Sequence, residues 1–548
     1  MLATLDWLAI ALYFAAVFGV AWFVTRRETT RATAENYFLG GRDSGWFVIG
    51  ASLFASNIGS EHLVGLAGSG AAGGVAVGQF EIMASLILLL LGWLFVPFYL
   101  RSGVFTMPEF LERRYDASAR WYLAVISIVG YVLTKISVTI AAGGIVFTTL
   151  MGIGFWTGAA IVVIATGVYT IFGGLRAVLY TDLLQAIVLI VGSIAVTILG
   201  LQAVGGWSGM IAAAEPGTFS VWKPIDDPDF PWTGILLGAP ILGVWYWCTD
   251  QFIVQRVLSA TNRDVARRGA IFGGILKVLP LFIFVIPGVI AAQLASQGAM
   301  TLDNPDGALP ALIGELLPVG IRGLVVAGLL AALMSSLSSV FNSCSTLITW
   351  DIYRKMRPNA SERSLVRVGQ ISTGVLVILG LAWIPMMDLI SDQLYKYLQS
   401  VQAYIAPPIA AVFLIGVFWS RVNSAGAIAA LVAGFVLGIG RLIAELAKSS
   451  LSGPLFWYAD INFLHFAVLL FVICSVVLIV VSFATPEPER GRIEGLTFAT
   501  TTPETAPETA PSSGRPADVS YKGWRRVDLG LSLLLGAAVA AIWLYFTF

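Results

Sequence analysis

The amino-acid sequence predicts an all-α polytopic membrane protein, and three observations carry that expectation. Of 548 residues, 57% are apolar and only 12% are charged, about half the ~25% charge of an ordinary soluble chain. Mean hydropathy is +0.85. The apolar residues also gather into fourteen runs, most near or above the ~20 residues that a helix needs to cross ~30 Å of hydrocarbon. A soluble fold of this length could not cover its surface with so little charge. The 32 basic and 32 acidic side chains cancel, so net charge offers no case for nucleic acid or another polyion as partner. Three cysteines, Cys248, Cys344 and Cys474, all lie in apolar runs and are too few for a disulfide framework.

In chain order the runs cover 5–25, 46–71, 76–100, 121–150, 156–172, 177–204, 232–255, 269–297, 319–350, 366–387, 399–419, 424–444, 462–482 and 527–547. Those longer than 25 residues imply tilt, kinks or ends that protrude from the bilayer. The chain opens with Met-Leu-Ala-Thr-Leu-Asp, at the head of the first run. It lacks the basic start and small-residue cleavage site of a signal peptide, so a retained span is expected.

Short cytoplasmic loops collect Lys and Arg, which orients the spans. One alternate set of loops holds 25 of the 32 basic residues, among them Arg26, Arg113, Arg267 and Arg354; the other set holds five. Lys135 and Lys277 remain, inside apolar runs. The split places both termini outside, in a multi-pass protein of the plasma (inner) membrane.

The chain divides accordingly. Residues 1–45 hold a first extra helix and a cytoplasmic loop, 46–204 a five-helix block, and 205–231 an extracellular loop with Trp, Pro and Asp. Residues 232–419 form a second five-helix block and 420–482 two extra helices. The stretch 483–526, rich in Thr, Pro, Glu, Ser and Gly, reads as a flexible cytoplasmic linker without core-forming residues, and 527–548 carry the last helix.

Polar residues inside spans are costly and therefore informative. In the second span, Ala55-Ser56-Asn57-Ile58-Gly59-Ser60-Glu61-His62 interrupts the apolar run, and the seventh carries Gly238, Pro240 and Gly243 before Trp245-Tyr246-Trp247-Cys248-Thr249-Asp250-Gln251. Both read as unwound stretches, tolerated at membrane depth only where they face protein or water. The two are five spans apart. Five is odd, so the blocks they open have opposite orientations, and an inverted repeat with broken first helices points to a secondary transporter with its site at the repeat interface. Glu81, Asp182 and Lys277 also stand inside spans and each requires a partner or water; for Lys135 a structural ion pair is expected. In the ninth span, Ala331, Ser335, Ser339 and Ser343 form a small-residue packing stripe, which Ser336, Ser338 and Asn342 widen into a polar arc. Hydroxyls beside an unwound helix suit Na⁺, a hard cation, as well as they suit packing.

Several runs resemble the sodium:solute symporter family, in its sodium/glucose cotransporter branch. They are Gly50 through Gly68, Gly173-Gly174 through Asp182 and Gln185, Trp245 through Gln251 with Gln255-Arg256, Met334-Ser335-Ser336 through Asp351-Ile352-Tyr353, and Gln399 through Pro408. The similarity extends over about 35–425 in order and register. It implies the LeuT-like five-plus-five inverted repeat, about fourteen transmembrane helices and alternating access.

Carried over residue by residue, the resemblance places a conserved sodium on the carbonyls of Ala55, Ile58 and Ala332 and the hydroxyls of Ser335 and Ser336. A second sodium, bound by some members, would use Asp182, Ser338 and Ser339. Substrate-binding positions fall on Asn57, His62, Glu81, Tyr246, Trp247, Lys277 and Gln399, which together offer donors, acceptors and an aromatic face to a pyranose. Leu66, Phe80 and Tyr395 would form the outer gate and Tyr246 the inner one. Lys396, Gln402 and Gly243 depart from the animal sugar transporters near the site.

The expected function is a sodium-coupled symporter that imports a monosaccharide resembling glucose or galactose. The alternatives are a symporter of the same family for another solute such as myo-inositol, or a non-transporting sugar sensor on this scaffold. No enzyme is expected, because neither a metal-ligand cluster nor a nucleophile–base pair is visible in the sequence. Na⁺, the sugar and the lipid bilayer are the expected partners; the oligomeric state stays open.

Overall fold

A backbone that crosses lipid must satisfy its own hydrogen bonds, and helices do so within one segment. The computed structural model describes residues 2–26, 44–59, 61–104, 106–302, 304–383, 394–500 and 524–547. Among these the regular structure is helical, apart from two isolated bridge pairs, Ser44 with Ala260 and Lys223 with Pro231. The described part of every expected run is mainly helical, interrupted at Ile58–Gly59 in the second and at Asp250 in the seventh.

Among the described residues, eight helices are long and apolar enough to cross a bilayer unbroken: Val75–Leu100, Ala117–Met151, Arg263–Ser296, Ile321–Met356, Leu394–Phe418, Ser424–Glu445, Phe463–Ala484 and Arg525–Tyr545. A ninth candidate, Ile187–Ala203, is followed by Gly206–Ala212 after a 65° bend. The second expected span is absent from that set because it is broken into helical pieces too short to cross alone, and the seventh is interrupted after the helical stretch 232–249. The first and tenth runs lie in Thr4–Arg26 and Glu362–Trp383. The fifth and sixth both lie within the helical stretch Phe155–Ala203. Its early part meets the tenth span, where Gln370 donates to the Ile171 carbonyl at 3.2 Å. Its later part packs on the ninth, with Gly192 against Val325.

The burial pattern inverts that of a soluble protein. Leu12, Val168, Ile378, Leu533 and Leu544 are exposed, whereas Glu61, His62, Glu81, Lys135 and Lys277 are buried. The ninth span is the most enclosed, with 94% of its most apolar window buried. Trp46–Asn57 of the second span packs along Arg263–Leu276 of the eighth. Glycine permits that approach: a Cβ on Gly50 would stand 2.8 Å from the Gly269 carbonyl oxygen, which is the close small-residue contact membrane helices favour.

The last helix, Trp524–Tyr545, is held at both ends. Near its start Asp528 takes hydrogen bonds from Arg267 and Arg268, each at 2.8 Å. Near its end Trp543 Nε1 donates to Gln79 Oε1 at 2.7 Å. The stretch read as a flexible linker from 483 is docked in its described part. Ile493 and Leu496 are buried, the Phe498 amide donates to the Val417 carbonyl at 3.0 Å, and its ring lies 5.2 Å from Phe98 and 4.9 Å from Phe418. Three apolar side chains within six residues were enough to anchor it, which composition averaged over the whole tract conceals. Residues 501–523 lie outside the described part.

Candidate functional site

The second span stops being helical where the sequence turns polar. Trp46–Asn57 ends at Ile58, and the chain resumes as a wide π turn, Glu61–Leu66, followed by Ala67–Gly73. The Gly59 amide turns back to the Asn57 carbonyl at 2.9 Å, and the His62 amide bonds the Gly59 carbonyl at 3.0 Å. The carbonyls of Ala55 and Ile58 therefore lose their usual donors four residues on. Gly59 is required by proximity: a Cβ there would sit 2.3 Å from Ser336 Oγ of the ninth span.

The seventh span breaks later than its glycines and proline suggested. Gly238 and Pro240 stay within the regular helix Trp232–Gly243, which continues as the π turn Val244–Thr249. Gly238 instead admits the Leu464 backbone, whose carbonyl oxygen would lie 2.4 Å from an added Cβ. The break falls at Asp250, in extended backbone, whose carboxylate accepts from the Phe252 amide at 2.9 Å and starts the helix Gln251–Leu258. It is an N-cap, the role for which Asp is among the preferred residues.

Between the two breaks lies a narrow cavity. Six of the seven expected substrate residues line it: Asn57, His62, Glu81, Tyr246, Trp247 and Gln399. Lys277 stands behind them, wholly buried, where its ammonium donates to both Asn57 Oδ1 and Glu81 Oε2. His62 Nε2 is 3.1 Å from Glu81 Oε1, and Asn57 Nδ2 donates to the Tyr246 hydroxyl at 3.0 Å. Each buried charge thus has a compensating partner, as burial requires.

Of the expected gate residues, Phe80, Tyr395 and Tyr246 line the cavity. Phe80 meets Tyr395 edge-on at 5.8 Å and also touches Phe230 and Phe463. Leu66 is fully buried in the π turn and is not a lining residue. Gly243 and Gln402 line the cavity, but Lys396 does not; it pairs with Asp229 of the 205–231 loop. Glu61 and Lys135, neither of them expected among the substrate residues, form an ion pair and also line the cavity. Two intramembrane charges of opposite sign were visible in the sequence, but not that both face this space.

Two of the expected ion positions, Ser336 and Ser339, meet Ser56 at the first break. Ser335, Ser336, Ser338, Ser339 and Ala332 are buried. Ser336 Oγ donates to the Ser56 carbonyl at 3.3 Å, and Ser339 Oγ to Ser56 Oγ at 3.1 Å. Arg256 reaches the same junction: Nη2 donates to Ser56 Oγ at 2.7 Å and also to Ser339 Oγ. Ser338 Oγ donates to the Ser335 carbonyl of its own helix at 2.9 Å. Asp182 falls on the helical stretch Phe155–Ala203, but its side chain lies outside the described part. Freed carbonyls beside neutral hydroxyls make a donor set suited to a hard cation.

The model of the sodium:solute symporter family matches residues 37–434. The rabbit protein named sodium/glucose cotransporter 1 is 40% identical over 524 residues, covering 88% of this chain and 79% of its own. The bovine sodium/myo-inositol cotransporter is 39% identical over 546 residues, covering 91% and 76%. Among solved structures, a Na⁺-coupled sialic acid symporter in a substrate-bound outward-open state superposes with a TM-score of 0.76 at 22% identity, over 89% of this chain and 99% of that one. A nucleobase-cation-symport-1 family transporter superposes at 0.54 with 16% identity, over 84% and 97%. At those identities the structural likenesses speak for the fold alone, the LeuT-like inverted repeat.

Proposed function

The chain belongs to the sodium:solute symporter family, and from that premise we propose that it imports a monosaccharide or cyclic polyol together with sodium by alternating access. It is a multi-pass membrane transporter rather than an enzyme, and sodium is its coupling ion. The observation that carries the substrate proposal is the cavity between the two broken helices. Its wall offers the Asn57 and Gln399 amides, the Glu81 carboxylate and the flat faces of Tyr246 and Trp247, with Lys277 poised behind. A polyhydroxylated ring presents hydroxyls that both donate and accept, plus an apolar face that suits an aromatic ring. A monocarboxylate would be repelled by Glu81. Relatives named for glucose and for myo-inositol match almost equally well, so both ligands belong in the test.

In this proposal one sodium sits on the carbonyls of Ala55, Ile58 and Ala332 with Ser335 and Ser336, and a second uses Asp182, Ser338 and Ser339. The first would tie the broken second span to the ninth and favour the state that accepts substrate. Substrate affinity then rises with sodium, and sodium affinity rises with substrate by the same factor. The membrane potential adds about 2.3 kcal/mol per charge per 100 mV. The protein works in the plasma membrane, with both termini outside.

The test is uptake of labelled glucose, galactose and myo-inositol into proteoliposomes under sodium, lithium, potassium or proton gradients. Sodium-stimulated accumulation of one of them is expected. Sodium-independent uptake would overturn the coupling, binding without uptake would mark a sensor, and neither binding nor uptake would remove this substrate class. A sodium-to-sugar ratio of one would remove the second ion.

A further inference from the structure

We propose that the Glu61–Lys135 ion pair links the sodium positions to the inner wall of the substrate cavity, with Lys135 positioning Tyr246. The inference rests on the reading that the chain is a sodium-coupled symporter. Glu61 is the first residue of the π turn after the break in the second span. The carbonyls of Ala55 and Ile58 lie on the other side of that break, so closing it around a cation moves Glu61. Its carboxylate is buried and bonded to the ammonium of Lys135, a residue of the fourth span. The pair thus ties the piece that responds to the ion to a separate helix.

Lys135 has a second contact. Its ammonium lies 4.9 Å from the centroid of the Tyr246 ring and 5.5 Å from that of Phe252, within cation–π reach of both. Tyr246 is held from the other side by Asn57, whose amide donates to its hydroxyl. Beyond Tyr246 is a second, narrow cavity, bounded by Tyr131, Asp250, Trp245 and Ile409 among others. Lys135, Tyr246 and Gln402 line both spaces, so they form the partition between them. Joining the two cavities requires Tyr246 to swing away, and Lys135 must then give up the ring while keeping Glu61, or follow the ring and break its buried pair with Glu61. A buried charge resists the second course. The ion pair therefore makes movement of the partition depend on the position of Glu61, and hence on the state of the break.

The experiment uses the full chain in proteoliposomes, with labelled glucose or, where the wild type takes up only that, labelled myo-inositol. Uptake is measured with and without sodium for the wild type, Glu61→Gln, Lys135→Met and Lys135→Arg. Glu61→Gln keeps the side-chain shape and preserves the test if Lys135→Met does not insert. In Glu61→Gln and Lys135→Met, sodium-independent uptake is expected to rise about tenfold relative to sodium-driven uptake, within the range of coupling between linked sites. Lys135→Arg should restore the wild-type ratio, and substrate binding at saturating sodium should persist in all variants. An unchanged ratio in folded Glu61→Gln overturns the proposal. So does loss of binding that matches the loss of uptake, which would make the pair a substrate ligand or a packing strut. A wild type without sodium-stimulated uptake would defeat the transport reading itself, whereas a coupled wild type with equally coupled variants defeats only this inference.

Discussion

Lys277 is the side chain on which the most other site residues depend. It joins Asn57, 220 residues away in sequence, to Glu81, 196 residues away. Removing one partner of a buried pair costs about 3–5 kcal/mol, because the other charge is left uncompensated. Lys277→Met is therefore expected to abolish substrate binding and lower the unfolding temperature of the detergent-solubilised protein. Adding Glu81→Leu should recover much of the stability but none of the binding; recovery of binding would remove both residues from the site. Asn57→Ala should also abolish binding, since it removes contacts to Lys277 and Tyr246 together. At this scale the sequence was informative because polar residues stand out within apolar runs. The ion pair expected of Lys135 is present, but the second face of that lysine depends on the rotation of the fourth span, which no local pattern encodes.

Each broken helix is made by a different device. In the second span Gly59 provides room for Ser336, and Gly59→Ala would bring a Cβ within 2.3 Å of that hydroxyl and 2.4 Å of a Glu61 carboxylate oxygen. The expected result is a large rise in the sodium concentration needed for half-maximal uptake, measured in proteoliposomes. Ser335→Ala should act in the same direction more mildly, with the rate at saturating sodium little changed. In the seventh span the break is an N-cap. Asp250→Ala removes a capping carboxylate worth about 1 kcal/mol and releases the Tyr131 hydroxyl that donates to it. The sequence located the first break well, since small, polar and glycine residues coincide there. It misjudged the second because glycine and proline serve close packing as well as unwinding, and only the neighbouring Leu464 backbone distinguishes the two.

Across the whole molecule, charged clusters outside the spans fasten distant elements. Glu112, on the helix Met107–Arg114, accepts from Arg120 and from Lys355 beyond the ninth span, each at 2.5 Å. Burial pushes its carboxyl up, but the hydrogen bonds from Lys355 and Arg120 prevail and hold it below the ordinary value of 4.5. A lowered carboxyl contributes stability above its ordinary value and loses it as pH falls through the lowered one. Glu112→Gln should therefore reduce the unfolding temperature at pH 7, and the difference from wild type should vanish under strong acid. A difference that is independent of pH would show that the ion pairs add nothing.

The sequence by itself determined that the chain is helical and membrane-spanning, because bilayer thickness and backbone hydrogen bonding leave few other solutions for runs this apolar. It also marked the polar positions, since each costs free energy in lipid and is kept only with compensation. What those residues compensate was decided by tertiary structure. Glu61 finds Lys135 74 residues away, Arg256 finds Ser56 200 residues away, and Lys277 finds Asn57 and Glu81 across three spans. The physical reason is that hydropathy records depth in the membrane and says nothing of rotation about a helix axis. That rotation, set by glycine contacts such as Gly50 with Gly269 and Gly59 with Ser336, chooses which polar side chains share a cavity and which meet only within the packing.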